Sequence, residues 1–170
     1  VPNEKVQGVV QRIFYFHVNL AWMCFGGFIF VAAASAWYLR TGSPVADRYA
    51  EANAEGGLLY TTLMLWTGPL WAKPIWGVWW TWDPRLTTTA VMLVSFVGVL
   101  LLRSMVLAPP RRAVVTAIAT IVAFVDVPIV YMSVKWWNSL HQMQSTPETG
   151  DSVMHMPLRM GAFGVMFLSL

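Results

Sequence analysis

Two histidines and a dense run of tryptophans are the residues of this chain whose types and spacing could do chemistry. His17 sits in Ile13-Phe14-Tyr15-Phe16-His17-Val18, and His141 in Trp136-Trp137-Asn138-Ser139-Leu140-His141-Gln142. An imidazole in such surroundings is either a hydrogen-bonded interfacial residue or a metal ligand. Between them the chain reads Trp76-Gly-Val-Trp79-Trp80-Thr-Trp82-Asp83-Pro84-Arg85-Leu86-Thr87, and half of the ten tryptophans fall between Trp71 and Trp82. Two readings of this run stand side by side. It is either an aromatic belt at a membrane surface or a shelf on which a large, flat, conjugated ligand stacks while indole N–H groups meet its polar edges.

Taken together, the histidines and the shelf point to one ligand class. Two imidazoles from different helix ends can clamp a haem iron on opposite faces, whereas a zinc ion or a bound water needs no aromatic platform. Lys73 and Arg85 are suited to neutralise anionic propionates. Asp83 can cap a following helix or take part in the site. His155, in Asp151-Ser-Val-Met-His-Met-Pro, reads as solvated. Asp126 lies in an apolar run two residues before Pro128, where a carboxylate is costly unless paired or protonated; it either satisfies backbone groups released by the proline or faces a polar cavity. The single cysteine, Cys24, excludes an internal disulfide framework and a Cys-x-x-Cys-His attachment site, and reads as a packing residue. No phosphate-binding glycine loop, Ser/His/Asp set or His-Glu-x-x-His is present, so neither an ATPase nor a hydrolase is indicated.

These residues must be positioned by elements that live in a bilayer. Of the 170 residues, 57% are apolar and 11% charged, against roughly 25% charged in an average soluble domain, and mean hydropathy is +0.57. The formal net charge of +3 is too small and scattered to indicate nucleic acid. Spans of about 20 residues are expected at 13–39, at 86–107 and at 113–134, the last kinked by Pro128. The apolar core 58–72 is short, and spans only if its helix begins near Ala46, with Glu51 and Glu55 at the watery end. A loop is expected over 71–83, punctuated by Pro74 and Pro84, a polar loop over 135–156, and a cut-off fifth apolar segment from Leu158. The fold class is therefore an all-α polytopic transmembrane bundle of four spans plus a partial fifth. Val1 at the start and an apolar run at Leu170 read as a piece of a longer protein, truncated at both ends.

Counting crossings puts the start of the first span, the tryptophan loop and the segment after Trp136 on one membrane face. Arg40, Arg48, Arg103, Arg111 and Arg112 mark the connections on the other face, while Lys5, Arg12, Lys73, Arg85, Lys135 and Arg159 nearly balance them. The compact basic turn at 103–112 tips the tryptophan face outward.

Trp76-Gly-x-Trp79-Trp80-x-Trp82-Asp83 resembles the WWD signature shared by the CcmC, CcmF and CcsA/ResC haem-handling proteins. The continuation Pro84-Arg85-Leu86-Thr87 and the preceding Lys73-Pro74-Ile75 look like the CcmC branch. The segments around His17 and His141 resemble the CcmC stretches that hold its haem-ligand histidines. The resemblance covers nearly the whole chain, although family members usually have six spans, Pro84 stands where alanine is frequent, and Asp126 stands where a neutral polar residue is expected. It implies one membrane domain over 1–170 with a haem-binding loop at 71–87. It also implies a non-covalent haem b at the outer face of the cytoplasmic membrane, with His17 and His141 as axial ligands and Trp76, Trp79, Trp80, Trp82, Asp83 and Arg85 around it. The implied partners are a CcmE-like periplasmic haem chaperone, the CcmA and CcmB ATP-binding-cassette subunits, CcmD and membrane lipid. Such a protein delivers haem for cytochrome c biogenesis and is not itself an enzyme. Two other classes remain in view: an electron-transfer subunit with a fixed b-type haem, and a haem-free transporter whose tryptophans form a belt.

Overall fold

In the computed structural model, which describes residues 10–140, the chain is all helical. Its elements are α1 (Gln11–Thr41), α2 (Pro44–Trp76), α3 (Pro84–Met105), α4 (Pro109–Phe124) and α5 (Asp126–Trp136). Each boundary has a local cause. Gly42 closes α1 in the left-handed region (φ 65°), where its N–H reaches the Tyr38 carbonyl. Pro44 then opens α2 at a position where no backbone donor is needed. With only residues 42 and 43 between them, α1 and α2 fold back as an antiparallel hairpin.

The hairpin closes tightly because small residues face each other. A β-carbon on Gly57 would lie 2.7 Å from Cε1 of Phe28, and one on Gly27 would lie 3.4 Å from the Cα of Gly57. Small residues at this crossing let the backbones approach, as association between apolar helices in lipid requires. The ring of Phe28 fills the space, stacked on Phe96 of α3 with centroids 3.7 Å apart. Around this pair, Cys24, Val31, Ala54, Met92, Val127 and Val130 are buried, which ties α1, α2, α3 and α5 into one core. The thiol of Cys24 meets the Thr61 hydroxyl at 2.8 Å while Thr61 donates to the Gly57 carbonyl. This agrees with its reading as a packing residue.

Three helical stretches are long and apolar enough to cross a membrane among the described residues: Phe16–Thr41, Pro84–Met105 and Pro109–Trp136. The chain is thus an integral membrane protein. α2, at 33 residues, has the length but is diluted by Asp47, Arg48, Glu51 and Glu55 in its first turns and by threonine, tryptophan and proline later. It begins at Pro44, close to the start that a spanning helix there demands.

One expectation needs correction. The tryptophan loop is shorter than 71–87, because α2 continues through Pro69 and Pro74 to Trp76 and α3 starts at Pro84; only 77–83 is non-helical. Proline removes one donor and kinks a membrane helix without ending it when neighbouring groups take up the exposed carbonyl. The kink expected from Pro128 is present, as a break at Val125 between α4 and α5. The proline ring clashes with the carbonyl four residues earlier, which is that of Phe124. Asp126 opens α5, with Oδ2 buried and without a hydrogen bond among the described residues, so it does not bond the released backbone there. The expected fifth segment from Leu158 lies outside the described residues.

At the end of the bundle opposite the tryptophans, Arg103 is buried and turned inward. Its Nη1 and Nη2 donate to the two oxygens of Asp47 at 2.8 Å each, Nη2 also reaches Glu51 at 2.8 Å, and Nε lies 2.7 Å from the other Glu51 oxygen. It pins the start of α2 to the end of α3 rather than lying in the basic turn.

Candidate functional site

The hairpin and the α2–α3 connection bring His17, the end of α2, the 77–83 loop and the end of α5 to one end of the bundle. His17, half-buried, faces α2. Its Nδ1 lies 3.1 Å from Oγ1 of Thr67, and its Cε1 lies where a side chain on Gly68 would begin, 3.4 Å from the β-carbon position. The Thr67 hydroxyl donates to the Leu63 carbonyl at 2.9 Å. The hydroxyl thus links His17 of α1 to the backbone of α2.

The tryptophans divide into two groups. Trp71 is buried and Trp76 half-buried, and they meet edge to face at 5.1 Å, so they form the footing of the loop. Gly77 ends α2 in the left-handed region and its N–H reaches the Lys73 carbonyl. Beyond it, Trp79, Trp80 and Trp82 are exposed, Trp82 to 81%, and Trp80 and Trp82 pack edge to face at 5.9 Å. At the end of α5, exposed Trp136 and Trp137 form another such pair. The exposed shelf is thus built from Trp79, Trp80 and Trp82, with Trp76 beneath.

Lys73 has a local task. Its Nζ donates to the Gly77 carbonyl at 2.9 Å and lies 5.9 Å from the centre of the Trp79 ring, within cation–π range. Arg85 is half-buried in the first turn of α3.

Asp83 is the junction. Only 6% exposed, it caps α3 by accepting from the Arg85 N–H through Oδ1 at 2.9 Å. Through Oδ2 it accepts from the Ser139 hydroxyl and the Leu140 N–H, each at 2.7 Å. The capping role was legible in the sequence; the grip on residues 139 and 140 was not. Thr67 and Ser139 carried no signal of their own, since hydroxyls in helices ordinarily bond back to their own backbone. His141 and His155 lie outside the described residues. Among the described residues no group of three or more His, Cys, Asp or Glu side chains could hold a metal ion.

Comparison with known proteins follows the same lines. The family described as "CcmC: Heme exporter protein C" matches residues 1–170. The chain is 35% identical over 175 residues to "Heme exporter protein C" of Bradyrhizobium diazoefficiens, covering 99% of this chain and 66% of that protein. It is 36% identical over 169 residues to the protein of the same name from Escherichia coli K12, covering 99% and 69%. A "Putative cytochrome c biosynthesis ccmC-like mitochondrial protein" of Marchantia polymorpha is 35% identical over 152 residues, covering 89% and 64%. The chain spans about two thirds of the length of these relatives.

Proposed function

This chain belongs to the Heme exporter protein C family, and from that premise we propose that it takes part in haem delivery for cytochrome c maturation, binding haem at its tryptophan-rich end. In this reading His17 and His141 are the axial ligands, and Trp79, Trp80 and Trp82 offer the faces on which the ring rests. Arg85 faces the propionates. The haem is cargo, held non-covalently as haem b at the outer face of the cytoplasmic membrane and passed to a CcmE-like chaperone. The CcmA and CcmB subunits, CcmD and the surrounding lipid complete the assembly.

The observation that carries this reading is the placement of His17. Its Nδ1 lies 3.1 Å from the Thr67 hydroxyl at the same end of the bundle as indoles exposed in a number no ordinary belt requires. No bond-making is assigned to the chain's own side chains. They orient the ring and iron, and the recipient supplies the reacting group.

The test is the visible absorption spectrum of the haem-loaded, full-length protein beside His17→Ala and His141→Ala. A low-spin spectrum that is lost or converted in each variant is the expected result. A spectrum indifferent to both changes returns the tryptophans to the role of a belt. Haem that never exchanges and cycles rapidly with quinol instead indicates a fixed electron-transfer centre.

A further inference from the structure

Asp83 stands in the shelf sequence, yet its carboxylate is turned into the protein. It has 6% exposure and, among the described residues, accepts from Arg85 N–H on Oδ1 and from Ser139 Oγ–H and Leu140 N–H on Oδ2. All three groups donate, as a carboxylate acceptor requires. An anion so placed would repel a propionate, and to reach iron it would have to abandon all three bonds. Its partners on Oδ2 lie 56 and 57 positions away in the chain, and His141 follows Leu140 directly.

We propose that Asp83 is a positioning residue that fastens residues 139 and 140 to the head of α3 and so fixes where His141 is presented to the shelf. The proposal rests on the haem-ligand reading of His141 and names two members of the apparatus, Asp83 and Ser139, that touch no haem. One end of the strut is α3, which is locked into the core by Phe96 and Met92. The other is a short segment beyond the last turn of α5, whose closing N–H is that of Trp137 on the Ser133 carbonyl. Asp83 thus bonds the two residues that directly precede the histidine in the chain.

Asp83→Asn separates the two jobs of the side chain. Asparagine caps a helix about as well as aspartate, so its oxygen can still accept from Arg85 N–H. Its amide N–H2 would then face the Leu140 N–H, donor against donor. Ser139→Ala is the milder variant, removing one of the two bonds and leaving the cap untouched.

Two readouts are taken on the full-length protein in lipid discs. Amide exchange of the segment holding Leu140 reports the strut without reference to haem. The visible spectrum, with and without added imidazole, reports the ligand. Losing a hydrogen bond to a charged acceptor is expected to speed exchange about tenfold or more in Asp83→Asn, and less in Ser139→Ala. Haem retention falls in the same order and is restored by imidazole, with the double variant no worse than Asp83→Asn. Unchanged exchange overturns the strut. Faster exchange with an unaltered spectrum overturns the positioning role while leaving the ligand reading standing. A spectrum indifferent to His141→Ala, but altered in Asp83→Asn and not restored by imidazole, overturns both in favour of direct contact by Asp83.

Discussion

The Thr67 hydroxyl lies 3.1 Å from Nδ1 of His17 and also reaches the Leu63 carbonyl of its own helix. The consequence is measurable. Thr67→Val keeps the shape and removes the hydrogen bond at Nδ1. Groups that orient a metal-bound histidine from behind are worth roughly 10–100-fold in affinity, and a loss of haem affinity in that range is expected by spectral titration, with His17 still present. An unchanged affinity would mean that Thr67 only packs. At this scale the sequence was partly legible. His17, Trp79, Trp80 and Trp82 announce themselves by type, and Asp83 before Pro84 announces a cap. Thr67 and Ser139 do not, because their roles depend on which other helix they meet. Lys73 was legible as a cation near the shelf but not as the group that bonds the turn and lies by Trp79.

Helices α1 and α2 depend on one close approach, and the two adjacent glycines of α2 separate it from ordinary helix propensity. Gly57 faces Phe28, which is pressed against Phe96 and has nowhere to move. Gly56 has no neighbour within 4 Å of its β-carbon position. Gly57→Val is expected to destabilise the protein by about 1–3 kcal/mol, the usual range for overpacking. Gly56→Val should stay within about 0.5 kcal/mol of the parent, as surface substitutions do. Thermal or denaturant unfolding in one detergent checks the pair, and equal losses would show that Phe28 yields. Element existence was readable from apolar runs, and α1, α3 and the α4–α5 stretch fall close to their expected bounds. The ends were harder. Pro74 reads as punctuation but lies inside the last turns of α2, and the effect of Pro128 is felt four residues earlier, where its ring meets a carbonyl.

The bundle as a whole has two unlike ends. One carries the indoles and Asp83; the other carries Arg103 with Asp47 and Glu51, the two-residue link at 42–43 and the exposed Arg111. The alternation of the helices predicts which loops share a membrane face. Single cysteines at Val78 and Leu140 should be modified by an impermeant thiol reagent from one side, and those at Ser43 and Ala108 from the other. Cys24 is fully buried and should stay silent in the background. Labelling of Val78→Cys and Ser43→Cys from the same side would show that α2 does not cross. The parity of the spans was available from the sequence, but the inward turn of Arg103 was not, since a basic residue near a helix end looks the same whether it faces water or two carboxylates.

The uneven spread of tryptophan also makes the molecule its own lamp. Indole emission overlaps the strong blue absorption of a porphyrin, and energy passes between them over a few nanometres with a steep fall in distance. Most indoles lie toward the Asp83 end, while Trp37 lies twenty residues beyond His17 on α1, about 30 Å away along the helix. Haem at the tryptophan end should therefore darken the protein while a faint residue of light persists from Trp37. A porphyrin seated beside Arg103 would extinguish Trp37 first, so the order in which the glow fades tells which end is occupied.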